Sequence, residues 1–220
     1  FVEQVRHGDV IQHVREEGRT SGRYNFMVLM SCGIAMLGLL LSSPAVVIGA
    51  MLISPLMGPI MSLGFSLCVL DFRQLRRALI GIIMGLGLAL GVSYLIVMFS
   101  PLTDVTPEIL ARTQPNLFDL LVAVFSGLAG GYAVTMRKGE TIVGVAIATA
   151  LMPPLAVVGF GLATGSAPIA KGAFFLFMTN LLAISLTVTA VAKWYGFGRA
   201  HGRGAVLWQS LLTIAVFAAL

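Results

Sequence analysis

The chain has 220 residues, of which 58% are apolar and 10% charged, with a formal net charge of +5. Soluble domains carry about 25% charged residues; here no Asp, Glu, Lys or Arg stands between Asn25 and Leu70, or between Thr141 and Ala170. That excludes a soluble globular domain. Because the runs are continuously apolar rather than alternating, it also excludes a membrane β-barrel, leaving a polytopic bundle of transmembrane helices.

Residues 1–23 differ from the rest. Val2, Val5, Ile11 and Val14 recur among mixed charges, which predicts an amphipathic lead-in helix. His7 and His13 are read there as surface residues rather than ligands. Seven spans follow, at about 24–41, 44–70, 75–99, 116–135, 141–164, 168–192 and 205–220. The first residue is Phe and the last span holds only 16 residues, so a longer natural chain is expected. Cys32 and Cys68 both lie within spans and there is no Cys/His cluster, so no disulfide, metal or other cofactor is expected.

Basic residues set the expected orientation. With the N-terminus in the cytoplasm, the inner segments 1–23, 71–77, 136–140 and 193–204 hold 12 of the 14 Lys and Arg residues. The outer segments hold only Arg112 and Lys171. This predicts a multi-pass protein of the cytoplasmic (inner) membrane with anionic lipids at its inner face. Nucleic acid is not an expected partner, because the bases are split over four short segments.

Two spans carry prolines where a break costs most. "LISPLMGPIM" places Pro55 and Pro59 in the span 44–70, and "ATALMPPLAVVGFG" places Pro153 and Pro154 in the span 141–164. Proline removes an N–H and crowds the carbonyl four residues back, and hydrocarbon offers no water to repair the loss. An offset of 99 residues aligns Val46 with Val145, Leu52 with Leu151, Pro55 with Pro154 and Leu56 with Leu155. An offset of 94 aligns the flanking spans, Asn25 with Asp119 and Arg77 with Lys171, and sets Leu86 against Asn180. A repeat unit of three spans has its second copy upside down. The expected organisation is therefore a lead-in (1–23), a first repeat (24–99), an outer loop (100–115), an inverted second repeat (116–192), an inner loop (193–204) and the start of a seventh span (205–220). The middle helix of each repeat is expected to be broken by its prolines.

The stretches "VIGAMLISPLMGPIMSLG", "RTQPNLFDLLVAVFSGLAGGYA", "GVAIATALMPPLAVVGFGLA" and "GAFFLFMTNLLAI" carry a resemblance. Over about residues 24–192 the chain resembles the uncharacterized hydrophobic domain family of prokaryotic membrane proteins, catalogued as domain of unknown function 389. The resemblance implies a multi-span helical domain, often attached to a cytoplasmic domain. It implies no activity.

Paired interrupted spans are the best sequence pointer to a transporter's binding site. Ser54, Pro55, Gly58 and Pro59 are candidate substrate-binding positions at one break, and Thr149, Pro153 and Pro154 at the other. Thr179 and Asn180, at the middle of span 168–192, join them. Asp119 is a candidate ion or proton site, with Arg112 as its expected partner; the alternative is a first-turn acid on the helix that Asn116 caps. Glycines 81, 85, 87 and 91 suit close helix contact, within the chain or in a homo-oligomer. Two function classes remain: a transporter or channel for a small ion or solute, with one midplane site that the breaks at 54–59 and 152–155 enclose near Asn180, and a membrane scaffold or sensor anchoring a cytoplasmic module. Catalysis is not expected, because no nucleophile–base pair shares a depth in the membrane.

Overall fold

A computed structural model of the chain describes residues 7–137 and 140–198. The seventh span, Arg6, Lys138, Arg199 and Arg203 lie outside them. The described residues form helices α1 (His7–Glu17), α2 (Gly22–Leu40), α3 (Pro44–Leu52), α4 (Met57–Val69), α5 (Phe72–Phe99), α6 (Pro107–Leu110), α7 (Leu117–Met136), α8 (Glu140–Ala163) and α9 (Ala167–Trp194), with no strand among them. Five of these, α2, α5, α7, α8 and α9, are long and apolar enough to cross a membrane. Together α3 and α4 pass the same test, as a pair bent by 58°.

Local chemistry sets the boundaries. The Ser21 hydroxyl accepts from the Tyr24 N–H at the start of α2, and the Asp71 carboxylate accepts from the Gln74 N–H at the start of α5. Pro44 and Pro107 open α3 and α6, where a missing N–H costs nothing. Leu70 and Arg137 close α4 and α7 in the left-handed region.

The helices run in a regular order. The Tyr24 hydroxyl donates to Gly81 O, and the Cys32 thiol to Ala89 O, so α2 and α5 are parallel, with partners 57 residues apart in both pairs. A Cβ on Gly127 would run into Ile184, and one on Gly131 into Val191, so α7 and α9 are parallel at nearly the same spacing. Between them α8 runs the other way, with Ala150 beside Asn180 and Gly161 against Ala170. The helix directions put Arg15, Arg19, Arg23, Arg73, Arg76, Arg77, Arg137 and Lys193 at one end of the bundle, and Arg112 and Lys171 at the other.

α8 is the centre of the fold. It is apolar on every side, as a helix enclosed by neighbours should be, and 78% of its apolar window is buried, against 28% for α5. Ile147, Leu151, Met152, Leu155 and Phe160 have no exposed surface. α5 instead turns Leu79, Ile80, Ile83, Leu95 and Met98 outward, the face of a helix against lipid.

The lead-in helix α1 packs on α4 through buried Val10 and Val14. Gly18 admits Ser62, and Gly58 admits the Glu17 carbonyl; a Cβ on either glycine would collide with that partner. Arg15 pairs with Asp71 at 2.7 Å. The Gln74 N–H, and after it Arg15, hold the Asp71 carboxyl below its ordinary pKa. His7 is not a bare surface residue: its Nε2 donates to Tyr195 O at 3.0 Å, and its ring lies 4.4 Å from that of Phe197.

One expectation is corrected. Only the first proline-bearing span is broken; α8 passes through Pro153 and Pro154 without interruption.

Candidate functional site: two opposed cavities

The break in the first span occupies residues 53–56. Pro55 has no N–H for the Met51 carbonyl, and the Ser54 N–H reaches that carbonyl instead, at 3.2 Å. The Ala50 carbonyl accepts from the Ser31 hydroxyl of α2 at 2.8 Å. The chain then bends away into α4, and the Ser54 Oγ is left buried with no hydrogen-bond partner. A cavity of about 600 Å³ adjoins the break. Ser54, Pro55 and Gly58 line it together with Glu17, Arg19, Arg23 and Tyr24, and α8 contributes Gly144 and Val145. This cavity lies toward the end of the bundle where α2 and α8 begin.

In α8 the same chemical problem has a different solution. Pro154 leaves the Ala150 carbonyl without its helical donor, and the Asn180 Nδ2 of α9 donates to that carbonyl at 2.9 Å. A side chain from the neighbouring helix thus replaces the lost backbone bond, one of the ways membrane helices tolerate proline. Pro153 similarly frees the Thr149 carbonyl. The Thr149 hydroxyl donates to Ala146 O at 2.6 Å. The Asn180 Oδ1 is left without a partner, on a residue only 3% exposed.

Asn180 is also one of the residues lining a second cavity, of about 240 Å³, with Thr149, Ala150, Pro154, Asp119 and Arg112, and with Ala111, Val122 and Leu176. It lies toward the end where α7 and α9 begin. The cavity is set deep: Asp119 and Arg112 line it together with Pro154, nine residues short of the end of α8 at Ala163, a rise of about 13 Å. The segment before α7 therefore folds into the bundle. Ile109 is fully buried, the Thr106 hydroxyl donates to Leu39 O at 2.8 Å, and Gly172 leaves room for the Thr113 carbonyl.

The cavities approach each other along α8. Val145 borders the first and Thr149 the second, a rise of about 6 Å. Ile147 and Ala148, both fully buried, stand between. Under the 99-residue offset, Met51 and Pro55 of the first cavity correspond to Ala150 and Pro154 of the second.

The single midplane site expected between the two breaks is not formed; the candidate residues divide between two cavities, because α8 stays helical through Pro153 and Pro154. Ser54, Pro55 and Gly58 border one cavity; Thr149, Pro154, Asn180 and Asp119 border the other. Pro59 and Pro153 are buried in packing, with Pro59 beside Gly81, and Thr179 donates to Leu176 O in its own helix. Asp119 makes a capping box with Asn116: each side chain accepts from the other's N–H, at 3.0 and 3.1 Å. Arg112 does not pair with it. Its guanidinium turns to Glu108, donating to the carboxylate at 2.8 Å and to the carbonyl at 2.6 Å. That i,i+4 pairing was open to sequence reasoning; Tyr24, Glu17, Val122 and Leu176 gave no comparable signal. No group of three His, Cys, Asp or Glu residues placed to hold a metal ion occurs among the described residues.

Comparison with known proteins adds the family but no activity. The family described as Domain of unknown function (DUF389) matches residues 51–186. The uncharacterized protein MJ0678 of Methanocaldococcus jannaschii is 28% identical over 200 residues, covering 88% of this chain and 62% of the relative. The chain thus spans less than two thirds of that relative's length. No solved structure matches.

Proposed function

We propose that this chain, which belongs to the family described as Domain of unknown function (DUF389), is the membrane domain of a transporter or channel for a small ion or solute. One observation carries the reading. Three buried side-chain oxygens among the described residues lack partners, Asn25 Oδ1, Ser54 Oγ and Asn180 Oδ1, and the last two belong to residues lining two cavities at opposite ends of the bundle. Buried polar groups are ordinarily paired. Unpaired polar atoms at this depth, a hydroxyl at Ser54 and an amide oxygen at Asn180, suit a passing solute and cost stability otherwise.

The repeat supports the same reading. Partners in α2 and α5, and in α7 and α9, keep nearly the same sequence spacing, and the middle spans supply equivalent positions to opposite cavities. Two inverted copies of one half-path, meeting near Ile147 and Ala148, would give such an arrangement. The charge bias favours placing the Ser54 cavity at the cytoplasmic face of the inner membrane and the Asn180 cavity at the outer face.

Solute release from proteoliposomes tests this. With a panel of monovalent cations, anions and small neutral solutes, the protein should release at least one class. Ser54→Val and Asn180→Leu should each lower that rate about tenfold or more while the protein still elutes as a folded species, the loss expected when a hydrogen bond to the cargo is removed. Absence of release across the panel would remove the transport reading and leave a scaffold anchoring a cytoplasmic module.

A further inference from the structure

We propose that the cavity at Asn180 is a binding site for a small monovalent cation, taken up by neutral oxygen atoms. The assignment deepens the transport reading and rests on it for its purpose. The first argument is the orientation of one amide. The Ala150 carbonyl can only accept, so the group facing it at 2.9 Å is the Asn180 Nδ2, and the oxygen is fixed on the other side. That oxygen is buried, has no partner and belongs to a cavity-lining residue. It can be satisfied only by a hydrogen-bond donor or a cation.

The surroundings point the same way. Thr149 lines the cavity too, and its hydroxyl gives its hydrogen to Ala146 O, so the hydroxyl has only acceptor capacity left to offer. Pro153 strips the Thr149 carbonyl of its helical donor. Asp119 supplies a carboxylate to the lining, with one oxygen accepting from the Asn116 N–H. The only cationic side chain lining the cavity, Arg112, is neutralised by its bond to Glu108. An anion would meet acceptors at the deep end. A divalent cation asks for several carboxylates, and only Asp119 is at hand. The Asp119 carboxylate among the lining residues favours a positive charge over a neutral donor, and a metal ion such as sodium and a donor such as ammonium both join one such charge to a demand for oxygen lone pairs.

Binding is tested apart from flux. The full chain, purified in detergent, is heated in chloride salts of equal ionic strength: sodium, potassium, ammonium, methylammonium, and N-methylglucamine as the oversized control. At least one small cation should raise the melting temperature in a saturable way. Asn180→Leu and Thr149→Val should each weaken the apparent affinity about tenfold, the loss expected for a hydrogen bond to a charged group. Thr149→Val leaves the Asn180–Ala150 bond in place, so it decides the matter should Asn180→Leu fold poorly. Stabilisation by sodium or potassium selects coordination; stabilisation by the ammonium ions alone selects hydrogen bonding. Equal stability in all five salts, or a cation effect untouched by Thr149→Val, overturns the site. Cation binding without release from liposomes upholds the site and removes transport. Release of a neutral solute without cation binding does the reverse.

Discussion

The two proline-bearing spans have the same problem and end in different shapes. Between Ile53 and Leu56 the first opens and bends by 58°, while α8 carries two consecutive prolines and stays continuous. The difference lies on a third helix. Asn180 supplies a donor to the carbonyl that Pro154 leaves bare; Leu86, which the 94-residue offset sets against Asn180, has none to give. A proline inside a membrane helix thus sets a demand, and the neighbouring helix decides between a break and an unbroken passage.

The largest effect is expected from removing that donor. Asn180→Leu leaves the Ala150 carbonyl buried and unpaired, which costs about 1–3 kcal/mol. Hydrogen exchange over residues 150–158 should rise with it. Protection unchanged in that stretch would show that Asn180 does not hold α8 together. Pro154→Ala sharpens the comparison, because it returns a backbone N–H to Ala150. In the Asn180→Leu background it should recover most of the lost stability, whereas Pro55→Ala in the same background should recover none. A double-mutant cycle by thermal unfolding reads the coupling, and equal recovery by both prolines would break the contrast.

On the broken span, Gly58 is the position where α1 comes down, with the Glu17 carbonyl where a Cβ would go. Gly58→Ala should displace α1 at a cost of about 1–3 kcal/mol, seen as faster proteolysis near Arg19. The corresponding change at Gly49, which has no neighbour within 4 Å, should leave cleavage as it was.

Smaller effects are expected at the edges. Asp119→Asn keeps a side chain able to accept at the capping box, so stability should fall by about 1 kcal/mol or less, while cation affinity at the Asn180 cavity falls more visibly. Asp71 gives a pH signature. Its folded pKa is depressed, so its contribution is present above about pH 4 and is lost as pH falls through the folded value. Arg15 is half exposed, so the loss should be slight and divided between the capped start of α5 at Gln74 and the seating of α1. Asp71→Asn should flatten it in a titration followed by proteolysis near Arg19.

The spans were legible because charge marks their limits. The runs read as 75–99 and 168–192 correspond to Phe72–Phe99 and Ala167–Trp194, whose ends lie near Arg73 and Lys193. The break at Pro55 was legible for the same local reason that makes proline costly. The continuity of α8 was not, because it depends on a side chain 30 residues from the carbonyl it serves. Asn180 stood out as a polar residue at mid-span, yet its partner and the direction of its oxygen are tertiary facts. Asp119 was legible as a cap through Asn116; its place in a cavity lining follows from the folding of residues 107–116 into the bundle, which no periodicity signals.

The central claim is that the Ser54 and Asn180 cavities lie at opposite ends of one path. Ser54→Cys and Thr149→Cys, in a background where the buried native thiols Cys32 and Cys68 react slowly, would be treated with a membrane-impermeant thiol reagent in sealed right-side-out vesicles. Position 149 should be labelled from outside, and position 54 only after the vesicles are opened. Labelling of both positions from the same face, or of neither in opened vesicles, would contradict that claim.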